Sequence, residues 1–177
     1  VTFKNNRTKS PVVWLVQDSV VVNGTLSVAA NYRVPGPGGF EGGLDDLTAA
    51  RSGYGIGGGL YKPGSYASGN PTYGNAACLP LIGGSGGSTY TPLYNVYGGG
   101  GGGAILIASG KSCEVNGQIL ADGAGTGGSG GAIRIISNSL AGKGALYARG
   151  AGAVAGESGG GSGRIRIEAN SSSFTGY

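Results

Sequence analysis

The sequence predicts an all-β chain: a short parallel β-solenoid of about four glycine-rich coils, with a long Gly/Tyr-rich insertion after the first coil. Three observations predict it. Three segments can be laid over one another, and a fourth begins the same way. A glycine-dense stretch precedes each of the last three Ile-x-Ile strands. Glycine, 42 of 177 residues, is thereby phased with the repeat, which separates a structural role from the disorder that such a composition otherwise signals.

The whole chain, 1–177, reads as one domain, with residues 1–30 as the first coil. Its segment runs from Val12-Val-Trp-Leu to Val22-Asn-Gly-Thr-Leu-Ser-Val28. Residues 31–103 are the insertion and a glycine run. Residues 104–177 are three further coils, from Ala104-Ile-Leu-Ile, Ala132-Ile-Arg-Ile and Arg164-Ile-Arg-Ile, the last one incomplete. Repeats of 20 to 50 residues indicate stacked architectures, and the intervals here are 28 residues from Ile105 to Ile133 and 32 from Ile133 to Ile165.

Each coil carries two short strands with period-2 alternation. In the first strand Val13, Ile105, Ile133 and Ile165 are expected to form one inward column, and Leu15, Ile107, Ile135 and Ile167 the next. In the second, Leu26, Ile119 and Leu146 align, followed by Val28, Ala121 and Ala148. Gly24, Gly117 and Gly144 share one position, the mark of a bend or a close backbone approach. The glycine stretches 98–103, 123–131 and 156–163 are expected to be stacked corners, with a layer of polyglycine II helices as the rival arrangement for them and for the insertion.

Outward positions carry charge. Asp122 and Arg149 fall at equivalent places in successive coils, suited to an exposed ion pair. Arg134 and Arg166 stack like with like, as a solvated face or an anion-binding column. The insertion from Asn31 to Tyr97 holds eight of the ten tyrosines, among them Tyr54, Tyr61, Tyr66, Tyr73, Tyr90, Tyr94 and Tyr97. Tyrosine beside Gly and Ser makes adaptable recognition surfaces; the same rings equally supply packing for a glycine-rich segment, covering an outward Trp14 and Leu106.

Composition removes several chemistries. There is no histidine, hence no His base, Ser-His-Asp triad or His-ligated zinc. Two cysteines cannot build a four-thiolate site, and no metal or cofactor is expected. The net charge of +4 is spread from Lys4 to Arg166 without a basic run, so no nucleic-acid partner is expected. The longest apolar run, Val12 to Val16, is too short to span a bilayer. Glu41 with Asp45 and Asp46 is the only local carboxylate cluster, and no motif draws it together, so catalysis on a polysaccharide ranks last. Val1 in place of Met reads as a mature chain or a fragment whose signal peptide is gone.

Cys78 and Cys113 suggest a disulfide and an extracellular address; the alternative is two small buried hydrophobes that never meet. Cys113 aligns with Val20 and Leu140 and so points inward. A bridge then needs the 78–82 stretch to tuck beneath a coil. Asn6, Asn23 and Asn170 open Asn-x-Ser/Thr sequons, acceptors in a glycosylating host.

The run Gly-Gly-Ala-Ile-Arg-Ile (130–135), a following Gly-x-Leu-x-Ala strand and the run Gly-Arg-Ile-Arg-Ile-Glu (163–168) resemble the glycine-rich repeat proteins predicted to be exported by many environmental bacteria. Pro-Gly-Gly-Phe-Glu-Gly-Gly (37–43), after a Val-x-Val-Asn-Gly-Thr-Leu strand, is similar to the same group. The resemblance implies export and a solenoid, and no reaction. By composition alone the chain also resembles glycine-rich adhesin tips of phage tail fibres. The sequence thus points to a non-enzymatic structural subunit of an extracellular filament or cell-surface layer, polymerising by β-strand addition. Its expected interface is Val1, Thr2 and Phe3 against Phe174 and Tyr177 of another copy. The alternative is a glycan- or receptor-binding adhesin module that uses the insertion's tyrosines.

Overall fold

The computed structural model describes residues 1–44, 51–61, 71–89, 97–153 and 159–177. Among them there is no α-helix, and nine strands form two parallel sheets. The first sheet contains β1 (Val12–Val16), β2 (Val20–Val22), β4 (Ala104–Ser109), β5 (Ser112–Val115), β7 (Ala132–Ala141) and β9 (Arg164–Ser172). The second contains β3 (Thr25–Ser27), β6 (Gln118–Leu120) and β8 (Ala145–Tyr147). The long strand β7 pairs with β4 along its first half, with β5 along its second, and with β9 along its other edge.

The register makes the core. Ile105 pairs with Ile133 and Ile107 with Ile135, and all four side chains are fully buried. Cys113 lies between Val20 and Leu140, and Ile119 between Leu26 and Leu146. These like-on-like columns stack apolar residue on apolar residue, and each fully buried Ile or Leu contributes about 1.5–3 kcal/mol relative to exposure. Polar columns stack in the same way. Asn116 Nδ2 donates to Asn23 Oδ1 at 3.0 Å, and Asn170 Nδ2 to Asn138 Oδ1 at 2.9 Å.

One column differs from the sequence expectation. Val12, not Val13, pairs with Ile105, and Trp14, not Leu15, pairs with Ile107. Because side chains alternate along a strand, this one-residue shift turns the whole strand over. Val13 and Leu15 are exposed, whereas Val12, Trp14 and Val16 pack on the core. The Phe3 ring meets Trp14 edge-on at 5.7 Å and fixes it there, so Trp14 is not an outward ring that the insertion has to cover.

The glycine segments are the second half of the architecture. Along 98–104 the amide hydrogens point in three directions in turn. Gly98, Gly101 and Ala104 donate to the carbonyls of Gly43, Phe40 and Pro37 at 3.1, 2.9 and 2.7 Å. Gly99 and Gly102 donate to Thr126 and Ser129 at 2.7 and 2.8 Å. Gly100 and Gly103 donate to Tyr32 and Val28, both at 2.8 Å. A donor period of three is that of an extended three-residue helix, not of a strand. The 83–89 segment behaves alike: Gly84 and Gly87 donate to Gly102 and Gly99, while Gly86 and Thr89 donate to Tyr54 and Arg51. Segments 83–89 and 98–103 are buried throughout. Their glycine positions tolerate no side chain: a methyl group on Gly101 would overlap the Gly84 carbonyl oxygen.

Candidate functional site

Among the described residues, two places present chemistry to the outside: the ends of the strand stack, and a cavity where the insertion meets the outer face of the first sheet.

At one end, Val1 to Phe3 lie alongside β3. Phe3 N donates to Ser27 O at 2.9 Å and Ser27 N to Val1 O at 2.8 Å, so Thr2 stands in the Ser27 position. At the other end, Tyr177 N donates to Gly144 O and Leu146 N donates to Tyr177 O, which places Tyr177 beside Ala145. The residues expected to meet in an interface therefore occupy opposite ends of one sheet. Val1 and Tyr177 are exposed, and Phe3 and Phe174 pack on the core. Tyr177 also meets the Tyr147 ring edge-on at 5.8 Å. Among the described residues β1 and β9 each pair along one edge only. On β9, Ile165 and Ile167 are 43% and 41% exposed, although they continue the columns in which Ile133 and Ile135 are fully buried.

The outer face of the first sheet is charged. Glu168 Oε1 accepts from Arg134 Nε at 2.7 Å and from Arg166 Nε at 2.9 Å. The two guanidinium groups pull its carboxyl down to about 2. The like-charged arginine pair read from the sequence is thus bridged, by a residue two positions along the same face of β9. Asp122 and Arg149 do form the expected ion pair, at 2.6 Å, with Arg149 stacked over Tyr147 at 4.1 Å.

Above this face the 71–83 strap and the glycine segments 127–131 and 159–161 enclose a cavity of about 130 Å³. Tyr73 forms one wall, its hydroxyl donating to Gly83 O at 2.7 Å, and burial raises its pKa. Arg164, the first residue of β9, lines the same cavity.

Cys78 also lines it, and here the structure departs from the sequence expectation. Cys78 and Cys113 are both buried and both free, and no bridge joins them. The reason is the sheet between them. Cys113 is in the inward column of Val20 and Leu140, whereas Cys78 faces the outer side, where Arg164, Arg134 and Arg166 are its charged neighbours. Burial pushes the Cys113 thiol up to about 11. Burial also raises that of Cys78, against the pull of the three arginines. Both are thiols at neutral pH, unlike the thiolates that nucleophilic or metal chemistry requires.

The remaining expected residues are scattered. Tyr54 is exposed, and Tyr61 is half-buried, its amide bonded to Ser52 Oγ. Tyr97 meets Tyr32 edge-on at 6.3 Å and lies 5.9 Å from the Arg33 guanidinium. Tyr66, Tyr90 and Tyr94, and Asp45 and Asp46 of the carboxylate cluster, lie outside the described residues. Asn6, Asn23 and Asn170 are exposed. Among the described residues no three His, Cys, Asp or Glu side chains come together as a metal site would need, and no helix is long and apolar enough to cross a membrane. Glu168 and Arg164 were not singled out from the sequence as site residues; the alternation Arg164-x-Arg166-x-Glu168 was the signal that they share a face.

No family model, curated protein or solved structure matches this chain, so its own residues carry the functional argument.

Proposed function

We propose that the protein is a structural, non-enzymatic subunit of an extracellular filament or cell-surface layer that grows head to tail by β-strand addition. In this reading the parallel strands wind as a solenoid of about four coils, and the glycine segments with their three-residue donor period pack as polyglycine II helices. The carrying observation is the open β9 edge with Ile165 and Ile167 in unfinished core columns. The opposite end is complementary. Val12 and Trp14 of β1 belong to the same columns through Ile105 and Ile107, so β1 of a second copy fits over β9 with apolar residue on apolar residue. Val1 to Phe3 stand in the columns of Leu26, Ser27 and Val28, while Tyr177 stands in the column just before them, beside Ala145. Such a contact does not close on itself and builds a fibre. The resemblance to exported glycine-rich repeat proteins supports the extracellular setting.

The test is assembly of the pure chain, followed by sedimentation and electron cryomicroscopy. Filaments are expected to lengthen with concentration and to be abolished by Ile167→Glu, which sets a charge on the open edge while the interior columns stay intact. A chain that stays monomeric up to millimolar concentration, with normal circular dichroism, overturns the proposal.

A further inference from the structure

We propose that the cavity between the 71–83 strap and β9 binds a compact polyhydroxylated monoanion, a uronic acid unit of an acidic polysaccharide. Among the described residues lining the cavity Arg164 is the only cation, and none is a carboxylate. Arg134 and Arg166 are both committed to Glu168, whereas the Arg164 guanidinium has no hydrogen bond or ion pair to any described residue. It lies against Gly74, where a side chain would collide with it, so the glycine leaves it room at the cavity wall.

Five hydroxyl-bearing residues line the same cavity, Thr72, Ser88, Thr126, Ser129 and Ser162, and none of their hydroxyls is hydrogen-bonded to a described residue. One planar guanidinium matches one carboxylate through paired N–H donors. Neutral donor-acceptor hydroxyls match sugar hydroxyls. The Tyr73 wall with Pro80 and Ile82 supplies the apolar surface that a pyranose face needs. A phosphate dianion fits less well, since it draws on clustered cations that this cavity lacks. The inference is independent of how copies assemble.

The test titrates glucuronic acid, glucose, glucuronic acid methyl ester and inorganic phosphate into the chain, read by isothermal titration and saturation-transfer NMR. Glucuronic acid is expected to bind saturably. The neutral glucose and methyl ester should bind about ten-fold more weakly or less, as should glucuronic acid to the Arg164→Gln variant, the loss expected for a charge-assisted hydrogen bond. The ester removes the charge from the ligand, so the result stands even if the variant misfolds. Absence of glucuronic acid binding, equal binding of the ester, or displacement by equimolar phosphate each overturns the proposal.

Discussion

The strand stack and the glycine layer lie side by side in one chain and are held by opposite means. In the stack, side chains do the work: Ile105, Ile107, Ile133 and Ile135 are fully buried on one another, and the backbone ladder follows their register. In the layer the buried side chains are few and small, those of Ser85, Ser88 and Thr89. Segments 83–89 and 98–103 are held by amide–carbonyl bonds to neighbours on several sides, at a spacing that at each of their glycines only hydrogen as a side chain allows. The stack therefore tolerates residues of similar volume, whereas the glycine positions of the layer leave no room for a side chain.

Three experiments press on that contrast. The largest effect is expected in the stack, where Ile135→Ala removes buried volume from a column closed on both sides and should cost about 2–5 kcal/mol. Urea melting measures it. In the layer, Gly101→Ala forces backbone apart and should cost about 1–3 kcal/mol or more, although it adds a single methyl and leaves every hydrogen-bonding group in place. Gly24→Ala is its control. Nothing lies within 4 Å of a methyl there, so a change within about 0.5 kcal/mol is expected. Equal melting of the two glycine variants would erase the distinction between the regions.

The last prediction concerns the charged outer face. The Glu168 carboxyl is depressed to about 2 in the folded chain by Arg134 and Arg166, below its ordinary value of about 4.3 in an unfolded chain. A carboxylate depressed in this way stabilises the fold fully above the unfolded value, and the contribution is lost as pH falls through the folded one. The melting temperature should therefore drop between about pH 4.5 and pH 2. Glu168→Gln should flatten that window while leaving the buried columns unchanged. An identical pH profile in the variant would show that the bridge carries no stability.

The two regions also differ in how far the sequence announces them. The columns of Cys113 with Val20 and Leu140, and of Ile119 with Leu26 and Leu146, follow from alternation and spacing, because apolar side chains mark one face. The first strand misleads because Val12-Val-Trp-Leu-Val is apolar on both faces, so alternation cannot choose between them. The choice is made by the interval to the next strand, which is the same from Val12 to Val20 as from Ile105 to Cys113, and by Phe3 packing on Trp14. For the glycine layer there is no pattern to read: identical residues carry no register, and the pairing of Gly101 with Phe40 or Gly84 with Gly102 emerges only in three dimensions. The cavity follows the same logic. Its polar wall is drawn from the strap, three glycine segments and β9, which no spacing rule connects.

The three-way bonding of residues 98–104 has a mechanical consequence. A strand at the margin of a sheet can be peeled away one bond after another, since its bonds lie in a single row. The glycine segment is anchored to the 37–43, 126–129 and 28–32 stretches at once, so tension along any one direction is shared by rows running across it. It has no row from which to unzip, and it releases only when bonds to all three neighbours break together.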